Sequence, residues 1–150
     1  MAQRFDIHIQ TLPAAEQKAT GKYMSFGFTS AIGVKGFQML INQWIKTLLT
    51  PVGSDPADVD SGTTFSTLRN SNFGVSELQD MVAMAVEQCN DQVFAAQQQD
   101  FTLTASERLA TADIIEFVVS PSGPGFDVSI EINNQAGENL EFNLPVLGDV

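Results

Sequence analysis

An α+β fold follows from three features of the sequence. Apolar residues recur every three or four positions over 37–48 and again over 78–93, the period of two amphipathic helices. From Arg108 onward the period falls to two, the signature of strands with one dry and one wet face. Turn-forming segments at 121–125 and 134–137 then cut that region into three strands. The expected architecture is two amphipathic helices packed on a small antiparallel β-meander, with an extended N-terminal arm. Residues 36–150 form the single domain, and 1–35 supply a first strand and the arm.

Phe5-Asp6-Ile7-His8-Ile9 alternates as a short strand should, and Leu12-Pro13 ends it. Residues 14–36 are polar and Gly-bearing, an arm with a possible strand at Met24–Phe28. The first helix starts at Val34 or Lys35 and runs to Leu49. Phe37, Leu40, Ile41, Trp44, Ile45 and Leu48 form its apolar stripe, while Gln38, Asn42, Gln43 and Lys46 mark the solvent side. Thr50-Pro51 and Gly53 stop it. A long loop follows to Gly74, with a short turn expected at Thr64–Leu68.

Ser76 with Gln79 fits a capping box and opens the second helix, whose inward stripe is Leu78, Met81 or Val82, Ala85, Val86, Cys89 and Val93. Glu77 and Asp80 suit the positive end of its dipole. Gln97-Gln98-Gln99-Asp100 reads as a solvated helix end. In the meander, Ile115, Phe117 and Val119 are expected on one face of the first strand. Phe126, Val128, Ile130 and Ile132 line the second, and Leu140, Phe142 and Leu144 the third.

The chain has 150 residues and a formal net charge of −11. Residues 1–75 are nearly balanced, and residues 76–150 set Arg108 alone against thirteen acids. Such a surface repels phosphate backbones and disfavours nucleic acid; it suits either solvation or a basic protein partner. The first residues contain no apolar block, so no export signal is expected, and no stretch approaches the ~20 apolar residues of a membrane span.

Chemistry lacks parts. His8 and Cys89 are the only residues of their kinds, so no metal set of imidazoles and thiolates can form. Asp55, Asp58 and Asp60 cluster beside Gly62, but a calcium loop opening at Asp58 needs Gly and Glu where Thr63 and Arg69 stand. Those carboxylates are expected to make turns. Glu16, Glu77, Glu87, Glu107 and Glu116 show no spacing that singles out a glycosidase pair. No catalytic residue, cofactor or metal is expected.

The helix Gln38–Leu49, the loop Thr50-Pro51-Val52-Gly53-Ser54-Asp55-Pro56, then Ser61-Gly62-Thr63 and Leu68, stand in a telling order. The second helix and the strands ending in Glu138-Asn139-Leu140-Glu141-Phe142 follow. Over about residues 36–146 the chain resembles the baseplate wedge and sheath-initiator family of contractile-tailed phages, some of whose members carry a "lysozyme-like" label. Where the family often has Glu-Pro-Arg, Glu107-Arg108 stands without the proline, and residues 1–35 are longer than is typical.

The resemblance implies a non-enzymatic virion subunit, six per baseplate, lying next to the tail tube. Its C-terminal sheet would template the tail sheath protein by β-augmentation, through Phe126, Val128, Ile130, Ile132, Leu140, Phe142 and Leu144. Its helical half and the 50–64 loop would dock to wedge and tube-adaptor proteins, with Asp55, Pro56, Glu107 and Arg108 in contact. No nucleic acid, membrane or cofactor is implied. Two other readings stand beside it: a peptidoglycan-cleaving enzyme, which the family label suggests, and a free-standing acidic protein-binding module.

Overall fold

The computed structural model describes residues 7–11, 24–28, 35–70, 73–119 and 125–147. Its order is β1 (Ile7–Thr11), β2 (Met24–Phe28), α1 (Phe37–Leu49), a 3-10 turn (Phe65–Asn70), α2 (Val75–Gln98), a second 3-10 turn (Ala105–Glu107), β3 (Leu109–Val119), β4 (Gly125–Asn134) and β5 (Asn139–Leu147). β1 and β2 pair antiparallel as a two-stranded sheet, and β3-β4-β5 form a separate antiparallel meander. The α+β class read from the sequence is the one observed. The expected first strand is described over Ile7–Thr11, and Phe5 and Asp6 lie outside the described residues.

The helices form one layer and the meander the other, with the core between them. Leu40, Trp44, Ile45 and Leu48 of α1, Val82, Ala85, Cys89 and Val93 of α2, and Val128, Ile130, Ile132 and Phe142 of the sheet are all fully buried. Trp44 meets Phe142 edge-on at 6.0 Å, and Phe65 meets Phe126 at 6.2 Å, so aromatic pairs tie the helical layer to the sheet.

Three local expectations need correction. Asn42, on the expected wet side of α1, has no exposure, and its Oδ1 accepts the Gln38 amide at 2.9 Å. A buried amide is tolerated because it is bonded. α2 begins at Val75, with Gly74 as its cap, and Glu77 accepts the Gly74 N–H at 3.3 Å; the Ser76–Gln79 box is not used. In β3 the register slips between Leu109 and Thr111 and again between Ile114 and Glu116. Each bulge inserts one residue and reverses the faces beyond it. Leu109, Ala112, Ile114 and Phe117 therefore pack inward, and Ile115 turns out, 48 % exposed.

The loop after α1 is pinned rather than free. Thr63 N–H donates to Thr50 O at 2.9 Å, and Thr63 Oγ1 donates to Leu48 O at 2.6 Å. Gly62 (φ +98) lies so close that a Cβ would come within 2.4 Å of Thr50 O. Gln92 of α2 holds that glycine on both sides, accepting its N–H at 2.8 Å and donating to its carbonyl at 2.6 Å.

Candidate functional site

A three-stranded sheet has two edges, and each carries backbone groups that another strand could pair with. The structure treats the two edges differently.

The start of the β3 edge is occupied by α2. Arg108 C=O turns toward β4 and accepts Gln135 N–H at 3.0 Å, so the N–H of the same peptide, Leu109's, points away from the sheet. Gln97 of α2 accepts it at 2.8 Å, and its amide nitrogen donates to Glu107 O and to Gln43 of α1. Seven residues earlier, one turn pair along the same face, Asn90 donates to Ala112 O at 2.9 Å and accepts the Trp44 indole N–H at 2.7 Å. Two amides thus each join α1, α2 and β3. Beyond them the bulge at Ile115 interrupts the outward row.

The sequence marks neither amide as functional, and the polar run 97–100 suggests a solvated helix end, whereas Gln97 is buried, 3 % exposed. The available signal was spacing: Gln97 lies four residues after Val93 and continues the inward stripe.

The β5 edge is open among the described residues. Asn134 N–H donates to Glu138 O at 3.0 Å across the hairpin, so Glu138 C=O faces β4 and the next N–H, that of Asn139, faces outward. β5 then follows β4 in unbroken register. Alternation places the N–H and C=O groups of Asn139, Glu141 and Asn143 outward. Pro145 stands where the next outward donor would be, the position a sheet allows to proline.

This geometry narrows the expected contact set. β4 is paired on both sides and Phe126, Val128, Ile130 and Ile132 are buried, so residues 126–133 offer neither side chain nor backbone at an edge. Phe142 and Leu144 are also buried, and Leu140 is half-buried. Over 139–146 the accessible groups include the outward backbone, the exposed side chains of Asn139 and Glu141, and the half-buried Leu140 and Val146.

The wet face of the sheet is acidic. Register sets Asp113 opposite Glu131, and Glu131 opposite Glu141, a row of three carboxylates across the three strands. Glu116 and Asp127 lie on the same face. Glu131 Oε1 accepts from Asn133, which also reaches Thr111.

Asp55 and Pro56 lie in the exposed loop. Asp55 accepts the Ala57 N–H at 2.8 Å and Asp58 the Asp60 N–H at 3.3 Å, turn-making geometry as expected. Glu107 and Arg108 instead work inside the chain. Glu107 accepts the N–H groups of Gly36 at 3.2 Å and Thr104 at 3.0 Å, joining the start of α1 to the approach of β3. Arg108 donates to Gln97 O at 3.1 Å and Asp100 O at 2.8 Å, closing the negative end of α2.

Cys89 is fully buried, its Sγ 3.2 Å from Trp44 O, and burial pushes its thiol far above the ordinary value. An open groove of about 690 Å³ between α1 and the end of α2 is lined by Met39, Gln43, Lys46 and Leu103 among others; burial lowers the pKa of Lys46 there. Among the described residues no group of three or more His, Cys, Asp or Glu could hold a metal ion, and no helix is long and apolar enough to cross a membrane. No family model, curated protein or solved structure matches the chain.

Proposed function

We propose that this chain is a non-catalytic structural subunit of a contractile-tail baseplate, and that it accepts an extended segment of the sheath protein as a fourth strand on β5. The observation that supports the reading is the contrast between the edges: the start of β3 is taken up by the chain's own helix and a bulge at Ile115 breaks the rest, while β5 keeps a regular outward row. The setting comes from the resemblance of residues 36–146 to the wedge and sheath-initiator family. In that setting six copies surround the tail tube, and wedge and tube-adaptor proteins dock on the helical half. Asp55 and Pro56 are exposed for that docking, whereas Glu107 and Arg108 position the elements that dock. Main-chain hydrogen bonds supply the affinity of strand addition, and the alternating side chains its specificity.

The test is a proline at an outward position of β5. Asn143→Pro removes an edge donor and leaves the main-chain bonds to β4 intact, as native Pro145 does two residues on, at the loss of one long side-chain bond from Ser129 at 3.5 Å. Particles carrying Asn143→Pro should form baseplates that bear no sheath. Sheaths of normal length on such particles would overturn the reading.

A further inference from the structure

The acidic row on the wet face runs to the open edge and stops there. Asp113, Glu131 and Glu141 are directly opposed in register, and like charges so placed destabilise a sheet. The C-terminal half holds one cation, Arg108, and its guanidinium is committed to the carbonyls closing α2. Nothing among the described residues of this face supplies a positive partner. The next lateral position beyond Glu141 belongs to an added strand.

The dry side of the same edge tells the complementary story. Phe142 and Leu144 are buried, but Leu140 and Val146 remain half-covered at the rim of the core. A fourth strand would cover them with every second side chain.

Resting on the strand-accepting reading, we propose that β5 selects a cationic guest: an extended segment of about six residues in which apolar side chains alternate with Lys or Arg, one of them beside Glu141. The wet-face cations continue the carboxylate row, and the apolar residues extend the core over Leu140 and Val146. Its length follows from the outward groups of Asn139, Glu141 and Asn143 and from Pro145 closing the row. A second copy of this chain is a poor guest, because its own β5 brings Glu141 rather than a cation, and the two chains repel at −11 each.

Two synthetic octapeptides, capped at both ends, decide the matter: one alternating Val and Lys, its twin alternating Val and Glu. Affinity is read by fluorescence anisotropy, and the site by amide hydrogen exchange in the full chain. The Lys peptide should bind at least about tenfold more tightly than the Glu twin and slow exchange at Asn139, Glu141 and Asn143. Added salt should narrow the gap, and Glu141→Lys should reverse the preference. Equal binding of the twins with protection of those three amides overturns the charge selection and leaves strand acceptance standing. Failure of both peptides to protect the β5 amides, or protection at 114–119 instead, overturns strand acceptance on β5 and the present proposal with it. Dimers sealed through β5 would overturn the cationic guest in favour of self-pairing.

Discussion

Gly62 shows how much rests on one missing side chain. Its φ of +98 lies where L residues are strained, and a Cβ there meets the Thr50 carbonyl. Gly62→Ala should cost about 2–4 kcal/mol, read as a lowered urea midpoint, because backbone strain and a backbone clash add. An unchanged midpoint would mean the loop can rebuild without the glycine. Cys89 gives a second residue-scale outcome, in its pH dependence. The thiol keeps its proton in the fold well past the ordinary value of 9.0, so above about pH 9 the unfolded chain binds fewer protons than the folded one. Stability should then fall by about 1.4 kcal/mol per pH unit from this group alone. Comparison of wild type with Cys89→Ala between pH 8 and 10 isolates it; parallel curves for the two proteins would refute the burial argument.

At the scale of elements, α2 is the organiser. One face carries Val82, Ala85, Val86, Cys89 and Val93 into the core, and its amides Asn90, Gln92 and Gln97 reach α1, the Gly62 turn and β3. Gln97→Leu keeps the volume but strands Leu109 N–H and Glu107 C=O without their partner. The expected loss is about 2–4 kcal/mol, the sum of two unsatisfied buried groups. Faster exchange of the Leu109 amide in the variant checks that the loss arises there. The periodic parts of this layout were legible in the sequence: both helices, the meander and the dry faces of β4 and β5 are encoded by spacing that burial enforces. The bulges in β3 were not, because an inserted residue leaves no compositional mark and the run Ile114-Ile115 is apolar in either register. Nor were the amide bridges, because Gln and Asn read as surface residues until a partner is seen.

For the whole molecule, which edge of the sheet stays open could not be chosen from the sequence. The alternating pattern announced three strands but not their order of exposure. The contact set implied by the resemblance spans Phe126, Val128, Ile130 and Ile132 as well as Leu140, Phe142 and Leu144, and the meander places the first four on its middle strand. Charge is where whole-molecule energetics and function meet. Glu131→Lys would set one cation between Asp113 and Glu141, and it should raise the urea midpoint by an amount worth about 0.5 kcal/mol, shrinking at high salt. A midpoint that falls, or a gain indifferent to salt, would show that the opposed carboxylates do not strain the sheet.

Pro145 carries one further consequence. A guest sliding along β5 by one repeat toward Val146 would aim a carbonyl at a ring nitrogen that has no hydrogen to give, and so would forfeit a bond. On the proposed reading the imino acid would work as an end-stop, indexing the guest to a single phase, and every copy of the subunit would seat its visitor at the same height.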